Sequence, residues 1–548
     1  MGISFNFLNI FKKKKQPLPI ETSFTLPSPL SSWPPGEGFA SGTIDLGGLQ
    51  IYQASKFTKL WATLEGGPDN LGSTFFEPTS IPDGFHMLGC YSQPNNKPLS
   101  GWVLVGKDST NDPSNGSLKP PIDYTLVWTS ENLKIKQEKT GYIWLPTPPN
   151  GYKAVGLVIT GSPEKPALEK LRCVRSDFTE LNENEALVWD SSEINIYSSR
   201  PRNRGIRAAG VKTGTFTVRK NGVDLDLPCL KNASGEKNYY AMPNKNQIEA
   251  IIEAYSPRVY FHPDEEYFPC SVKWYFENGA LLYKNGDESN PVRIDPEGSN
   301  LPEGGENDDN YWIDLPTNNS EVVKKGDLSS ACCYLHVKPM FGGTFSDVAI
   351  WLFYPFNGPA RAKVKFFDVS LGRIGEHVGD WEHVTLRVSN FDGELKGMYF
   401  SEHSGGVWLD VSELEFVEGN RPGAFSSFHG HAMYPKEGLV LQGNGSIGIR
   451  NDSGKGKFLD VGSNYLVVGA EYLGPDFVEP RWVNYMRKWG PKIEYRTEDE
   501  MKKVEKLLPG KLKDGFERFM RGLPNEVFGE DGPTGPKVKD SWAGDERS

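Results

Sequence analysis

Apolar and polar residues alternate with a period of two along much of the second half of the chain, a pattern typical of β-strands with one buried face. Residues 334–338 and 384–388 show this alternation. The second run is followed by the turn dipeptide Asp392-Gly393 and another alternating run, so the sequence predicts a β-hairpin. A continuous apolar run over 349–354 predicts a central strand that is buried on both faces.

Helical periodicity is confined to two segments. Asn244 and Gln247 have the spacing of a capping box, and three isoleucines over the next turns form an apolar stripe. The sequence therefore predicts a helix here that ends before Pro257. Residues 498–521 predict a second, closing helix.

The first half contains a weak threefold repeat between residues 41 and 220. Each copy has an apolar residue followed by a tryptophan, and later two glycines five positions apart. The copies are Leu60-Trp61 with Gly84 and Gly89, Val127-Trp128 with Gly151 and Gly156, and Val188-Trp189 with Gly205 and Gly210. Because one such unit cannot bury its own apolar face, we expect three sheets packed around an axis.

The predicted fold is therefore mainly β. A pseudo-threefold β-prism-like domain precedes a β-sandwich domain of jelly-roll type with a C-terminal helix. The predicted divisions are an N-terminal tail (1–40), the prism (41–225), a linker with a helix (226–254), the sandwich (255–495), and a closing helix and irregular strap (496–548), in which Trp542 is the only strong anchor.

Composition narrows the class of protein. The 59 glycines and 41 prolines suit a β protein with many turns. A net charge of −11 argues against a general nucleic-acid binder, and no apolar run is long enough to span a bilayer. The six cysteines show neither metal-ligand nor scaffold spacing, which indicates reduced thiols in the cytosol.

The N-terminus combines an apolar segment with a lysine cluster, Lys12, Lys13, Lys14 and Lys15. A secretory signal has these parts in the opposite order, so we expect a cytoplasmic protein, peripheral at endomembranes or the plasma membrane. Gly2 is in position for myristoylation, although Asn6 stands where that motif has Ser or Thr. Each lysine near an anionic leaflet contributes about 1 kcal/mol. The alternative is a disordered, solvated tail.

Five of the eight histidines lie between positions 377 and 431, and the richest stretch is 376–382. Asp380 and Glu382 share one strand face. Together with His377 they form a candidate site for a hard cation such as Mg²⁺ or Ca²⁺. Further candidate ligand-binding residues are Glu376, His403 at the end of the next strand, His429 and His431 with both rings on one side of a third segment, and Asn357.

Three interpretations of this cluster remain open. It is a cation or polar-ligand site, an acid/base catalytic site, or a buried polar network that ties the sandwich together. The chain contains no nucleophile elbow, phosphate loop or zinc-ligand spacing to favour the enzyme.

Several segments resemble the vacuolar protein sorting-associated protein 62 family: 255–263, 375–384, 400–406 and 429–432. The ending, 532–536 with 542–546, is similar to the plant branch of that family. The resemblance covers nearly the whole chain. It implies a role in endomembrane protein sorting.

The stretch 376–382 also resembles the Gly-His-Arg-His-Asp-Trp-Glu heptad of necrosis- and ethylene-inducing-like proteins. Those are secreted β-sandwich cytolysins that use a divalent cation to engage plant sphingolipid headgroups. The resemblance implies metal-shell roles for His377, Asp380 and Glu382. Gly379 stands where the heptad has its second histidine, and Asn357 is the nearest candidate for a further upstream aspartate.

We therefore expect a non-enzymatic peripheral membrane or lipid- or protein-binding protein of endomembrane (vacuolar) sorting. One alternative is a lectin-like or membrane-active defence protein that recognises glycolipids through a cation site. Another is a hydrolase that uses the histidines and carboxylates. The expected partners are a membrane surface or lipid headgroup, protein partners of the sorting machinery, or a glycan, but not nucleic acid.

Overall fold

The computed structural model describes residues 21–546, except for Pro113, 236–238, 403–404, 445–446, Glu494 and 522–531. The protein is mainly β, as predicted. Its sheets are chiefly antiparallel, and its α-helices are few and short.

The first half is built from many short strands. They are β1 (Thr43–Asp45), β2 (Leu49–Ala54), β3 (Phe57–Ala62), β4 (Ser73–Pro78), β5 (His86–Met87), β6 (Tyr91–Pro94), β7 (Val103–Asp108), β8 (Leu118–Lys119), β9 (Asp123–Thr129), β10 (Tyr142–Thr147), β11 (Tyr152–Lys153), β12 (Val158–Thr160), β13 (Cys173–Arg175), β14 (Thr179–Glu180), β15 (Asn182–Asp190), β16 (Ile194–Pro201), β17 (Gly210–Val211), β18 (Phe216–Lys220), β19 (Val223–Asp224) and β20 (Cys229–Lys231).

The three tryptophans of the repeat meet in the core of this half. Trp61, Trp128 and Trp189 lie on β3, β9 and β15, and their ring centroids are 5.8–5.9 Å apart in every pair. Each strand pairs with the strand that follows it, β4, β10 and β16, and each pairing contains a register shift next to its tryptophan or the facing residue. A bulge re-aims a side chain, so the same local device turns all three indoles inward.

The third copy of the repeat differs from its prediction. Gly89 and Gly156 abut each other, and a Cβ on either would lie 2.8 Å from the Cα of the other. The side chain that approaches both glycines from the third copy belongs to Thr215. Gly205, which was expected to carry the repeat, instead lies against the C-terminal strap, where a Cβ would be 2.5 Å from the carbonyl oxygen of Ala543.

The second half has longer strands and the helices. The strands are β21 (Arg258–Tyr260), β22 (Leu281–Lys284), β23 (Val292–Arg293), β24 (Tyr311–Asp314), β25 (Cys333–Met340), β26 (Phe345–Asn357), β27 (Arg361–Val364), β28 (Phe367–Ser370), β29 (His377–Ser389), β30 (Leu395–Glu402), β31 (Gly405–Asp410), β32 (Phe416–Glu418), β33 (Arg421–Ser426), β34 (Met433–Tyr434), β35 (Gly438–Asn444), β36 (Ile447–Ser453), β37 (Phe458–Asp460) and β38 (Tyr465–Gly469). The helices are α1 (Lys245–Tyr255), α2 (Val272–Glu277), α3 (Ser320–Val323), α4 (Thr497–Leu507), α5 (Gly510–Arg521) and α6 (Asp540–Ala543).

A six-stranded sheet, β31-β30-β29-β26-β25-β38, organises this half. The predicted hairpin is β29 and β30, and the predicted central strand is β26, of which every residue is buried. One face of the sheet packs against the isoleucines of α1. The opposite face, which carries Trp381 on β29, packs against an aromatic cluster that includes Trp482 and Trp489. Both faces of the sheet are therefore covered.

The helical predictions are confirmed in one case and corrected in the other. Asn244 and Gln247 form the predicted capping box of α1. The closing helix predicted over 498–521 is instead two helices, α4 and α5, with Pro509 between them. Proline has no N–H to donate and its ring clashes with the preceding turn, so it breaks a continuous helix.

Residues of the predicted linker and of the predicted N-terminal tail are packed against the rest of the molecule. Cys229–Lys231, within the predicted linker, is the strand β20, and Leu230 is fully buried. Phe39 and Trp33, within the predicted tail, pack on the core of the second half. The C-terminal strap likewise places Trp542 on the ring of His336, with centroids 3.9 Å apart.

Candidate functional site

A pocket of about 390 Å³ opens beside the first half of β29. β30 pairs with β29 only from Val384 onward, whereas β26 pairs with it from His377. The edge of β29 over 377–383 is therefore left without a partner strand in the described part of the chain. Parts of β36 and the C-terminal strap form the remaining walls of this pocket, which we call the β29 pocket.

The two predicted carboxylates lie together on one face of β29, as their spacing predicted. Asp380 Oδ2 is 3.0 Å from His431 Nδ1, and His431 Nε2 donates to the backbone carbonyl of Tyr267 at 3.1 Å. The imidazole stacks on Tyr354, with ring centroids 3.8 Å apart. Burial opposes ionisation of Asp380, but the hydrogen bond from His431 and the neighbouring His377 outweigh it and lower the pKa of Asp380.

Glu382 behaves in the opposite way. Burial, and then the charge of Asp380, raise its pKa well above the ordinary range for a glutamate. Its carboxyl accepts a hydrogen bond from the hydroxyl of Ser401, whose oxygen in turn accepts the backbone N–H of His383 at 3.2 Å. The pKa values of the two neighbouring carboxyls are therefore shifted in opposite directions, down for Asp380 and up for Glu382. Between its two pKa values such a pair offers one acceptor and one donor.

The other face of β29 meets the C-terminal strap. Glu546 accepts hydrogen bonds from Thr385 at 2.7 Å and from His383 Nε2 at 3.0 Å, and it lies 3.4 Å from the ammonium group of Lys338. Burial opposes ionisation of Glu546, but Lys338 and His383 hold its pKa far below the usual range. Lys338 also donates to the carbonyl of Ser541 at 2.7 Å. The strap thus closes the pocket with a buried ionic network.

The residue before Glu546 joins the two halves of the molecule. Asp545 accepts from Arg387 at 2.8 Å and from Arg204 at 2.9 Å. Arg387 belongs to β29 and also makes a two-pronged pair with Asp347 on β26, whereas Arg204 belongs to the first half. The strap therefore holds the first half, the large sheet and the pocket wall together.

The remaining predicted residues are divided between the pocket and its surroundings. His377 lines the pocket, donates to the carbonyl of Gly379 at 2.7 Å, and has its pKa lowered by burial. Asn357 also lines it and donates to the carbonyl of Gly375 at 2.7 Å. Glu376 instead pairs with Arg373 at 3.1 Å and does not line the pocket. Outside the described residues lie His403, Gly2, Lys12, Lys13, Lys14 and Lys15.

The segment with His429 and His431 is a tight turn, not the strand-like segment that the alternation suggested. Both residues have positive φ, 65° and 55°, and the N–H of His431 donates back to the carbonyl of Ser427. Both rings approach Tyr267, but only His431 reaches Asp380. His429 donates its backbone N–H to Glu265 and contacts the carbonyl of Pro359 through its ring.

Gly379 explains why this site lacks a second histidine on β29. Its φ is +70°, and a Cβ there would lie 2.4 Å from the carbonyl oxygen of Trp489. Among the described residues, no three His, Cys, Asp or Glu side chains are arranged to hold a metal ion. Asp380 is bonded to His431 and Glu382 to Ser401, and the pKa of Glu382 is raised, so the donor set does not fit a divalent cation in this arrangement. The cation stays a prediction of the sequence.

Several residues of the pocket and of the ionic network behind it have no signal in the local sequence. Glu546 meets Lys338 only because the strap returns over the large sheet, and Ser401 reaches Glu382 where β30 runs beyond its pairing with β29. The one available sign was Asp545-Glu546, an acidic pair that follows Trp542 and Gly544 at the end of the strap. Within the described ranges, no helix has the length and apolarity needed to cross a bilayer.

The sequence matches one protein family over nearly its whole length. A family model described as vacuolar protein sorting-associated protein 62 matches residues 20–546. The chain is similar to two Saccharomyces cerevisiae proteins. One is named Vacuolar protein sorting-associated protein 62, and 309 residues align at 24% identity, covering 48% of this chain and 64% of that protein. The other is Putative vacuolar protein sorting-associated protein TDA6, with 24% identity over 35% of this chain and 44% of that protein. The chain thus spans less than two thirds of either relative.

Similarity to solved structures is weaker. GNIP1Aa from Chromobacterium piscinae aligns with a TM-score of 0.28 and 20% identity, over 34% of this chain and 38% of that one. Necrosis and Ethylene inducing Protein 2, from the causal agent of cocoa's Witches Broom disease, aligns with a TM-score of 0.20 and 11% identity, over 34% and 67%. These scores are too low to carry an argument about function.

Proposed function

Since this chain belongs to the vacuolar protein sorting-associated protein 62 family, we propose that it acts in vacuolar protein sorting as a non-enzymatic protein that binds the surface of endomembranes. The observation that carries the proposal is the β29 pocket with its paired carboxyls, of which Asp380 has a lowered pKa and Glu382 a raised pKa. In this proposal the pocket holds an uncharged or zwitterionic polar lipid headgroup.

The chemistry of the pocket supports a polar ligand. Asp380 is hydrogen-bonded to His431, and Glu546 lies beside the ammonium group of Lys338 and is hydrogen-bonded to His383. A group that entered with a large charge of its own would lack a free counter-charge on these residues. The two carboxyls and the indole rings of Trp351 and Trp381 in the walls instead suit hydroxyl and amide groups, which both donate and accept.

The same hydrogen bonds favour binding over turnover. A general base needs a free acceptor toward the substrate and a pKa near the working pH. Asp380 already accepts from His431 and has a lowered pKa, and Glu382 already accepts from the hydroxyl of Ser401. Ser401 donates to Glu382 and accepts the backbone N–H of His383, so its hydroxyl is not bonded to an imidazole that would activate it as a nucleophile.

A cell-based assay tests the proposal. Cells from which the gene is removed should release a soluble vacuolar cargo into the medium, and the full chain should restore its retention. Gly405→Leu should fail to restore it, because Gly405 lines the pocket and a Cβ there meets no atom within 4 Å, so the side chain fills the cavity without a local clash.

The matched control is Gly510→Leu, another position where a Cβ meets no atom within 4 Å, away from the pocket. It should restore retention fully. Normal cargo retention in cells without the gene would refute the sorting role. Full restoration by Gly405→Leu would refute the role of the pocket while leaving the sorting role intact.

A further inference from the structure

The hairpin of β27 and β28 exposes two phenylalanines at its tip. Val364 pairs with Phe367, so the turn consists of Lys365 and Phe366 alone, with Lys365 at φ 58°. Phe366 is 95% exposed, more than any other large apolar side chain of the described residues, and Phe367 is 47% exposed. Neither ring stacks on another aromatic side chain in the described part of the chain.

This hairpin has a rigid base. Ala362 and Val364 are fully buried, and Val369 is 7% exposed. They pack in one apolar cluster with Phe516 and other residues of α4 and α5. β27 is also paired along its whole length with β36. The tip is therefore held out from the body by a packed element, and the exposure of its rings is not the result of a loosely attached loop.

Charge at the tip differs from that of the molecule as a whole. The chain carries a net charge of −11, yet Lys363 and Lys365 flank the tip, and neither makes an ion pair within the described ranges. The nearest carboxylate in the hairpin, Asp368, pairs with Arg450 on β36. Two lysines beside two aromatic rings match the boundary of an anionic membrane, where phosphates lie above the acyl chains.

The hairpin also begins at the rim of the β29 pocket. Ala360, just before β27, lines that pocket, as does Arg450, which pairs with Arg361 at the base of the hairpin. Four strand residues separate this rim from the tip, about 13 Å at the usual rise of a β-strand. A headgroup in the pocket and a bilayer at the tip are therefore within reach of each other.

From these observations we propose that the tip of the β27–β28 hairpin inserts Phe366 and Phe367 into the interfacial layer of an anionic membrane, with Lys363 and Lys365 at the phosphates. This proposal rests on the proposed membrane association and names the element that makes the contact. The tip is narrow and convex, whereas a stable protein interface needs a patch of roughly 800 Å² on each partner, so we assign it to lipid.

Vesicle flotation with the full chain tests this assignment. The vesicles are phosphatidylcholine alone or phosphatidylcholine with 30 mol% phosphatidylserine, where ~30 mol% approximates an anionic leaflet. The wild type should float with the anionic vesicles. The double variant F366S/F367S should bind at least about tenfold more weakly, since one buried phenylalanine alone contributes at least that factor. The control is Val478→Ser, because Val478 is 84% exposed elsewhere on the surface.

A second measurement reports insertion directly. Phe366→Cys and, as its control, Val478→Cys are labelled with an environment-sensitive fluorophore, since the native cysteines are buried or partly buried. Fluorescence should rise with anionic vesicles for the label at 366 only. If the wild type and F366S/F367S float equally, and the fluorescence of the label at position 366 does not change with vesicles, the hairpin does not make the membrane contact. Membrane association itself would still stand in that case.

Two other outcomes are decisive. A wild type that floats with neither vesicle would overturn the membrane association and the hairpin assignment with it. Loss of a protein partner from F366S/F367S, with unchanged flotation, would show that the tip binds protein and would also overturn the assignment.

Discussion

Glu546→Gln tests the C-terminal strap as the closing wall of the pocket. The side chains of Glu546 and Lys338 are each 1% exposed, and the carboxylate also receives hydrogen bonds from His383 and Thr385. Removing one member of a buried ion pair typically costs 3–5 kcal/mol. Lys338 keeps its bond to the carbonyl of Ser541, so we expect the low end, about 3 kcal/mol.

Hydrogen exchange of peptides over 532–546 measures this loss. If the strap opens locally, about 3 kcal/mol corresponds to roughly a hundredfold faster exchange. The matched control is Glu297→Gln. Glu297 also pairs with a lysine, Lys273 at 2.7 Å, but its side chain is 73% exposed, so the change should leave exchange over 532–546 unchanged. Equal exchange in the two variants would refute the buried network.

The same variant also tests how the stability of the strap depends on pH. The pKa of Glu546 is lowered in the folded protein, so its ionisation stabilises the fold fully above the ordinary glutamate pKa of about 4.3. That contribution is lost as pH falls below this value toward the native pKa. Strap protection in the wild type should therefore exceed that of Glu546→Gln at pH 7, and the difference should shrink progressively below about pH 4. A constant difference over that range would contradict the assignment of charge to Glu546.

Four further outcomes are expected. Trp128→Ala should destabilise the first half by about 3–5 kcal/mol in urea unfolding, because its ring contacts both other tryptophans of the repeat. Gly379→Ala should cost at least about 1–2 kcal/mol for its left-handed backbone, with more from the contact to Trp489, measured in the same way. Metal analysis of the purified chain and of Asp380→Ala tests the cation predicted from the sequence, and an ion present only in the parent would support it. Charge reversal at Lys12–Lys15 should weaken flotation with anionic vesicles. Unchanged flotation would show that these lysines do not contribute to membrane binding.

Much of the fold follows from local patterns. The alternation over 384–388 and the turn at Asp392-Gly393 are sufficient to predict β29 and β30, because the side-chain period of a strand is two. The same period places Asp380 and Glu382 on one face. The tryptophans of the repeat identify the strands that meet in the first core, although the glycine spacing in the third copy points to Gly205 and Gly210, whereas Thr215 is the residue that approaches Gly89 and Gly156.

The pocket depends on contacts that no local pattern contains. Glu546 reaches β29 only because the strap crosses the sheet, and Ser401 enters the site where β30 leaves its partner strand. The turn at His429–His431 depends on two residues with positive φ, which alternation does not indicate. Pro509 alone is sufficient to predict two helices at this end of the chain, since proline interrupts a helix whatever the surrounding periodicity.

The most direct test of the account is the identity of the lipids retained by the purified full chain, measured by mass spectrometry. The account predicts that the wild type and Gly510→Leu retain a lipid with an uncharged or zwitterionic polar headgroup, and that Gly405→Leu loses it because its side chain fills the β29 pocket. Equal retention by all three proteins, or no retained lipid in the wild type, would contradict the claim that this pocket binds a headgroup.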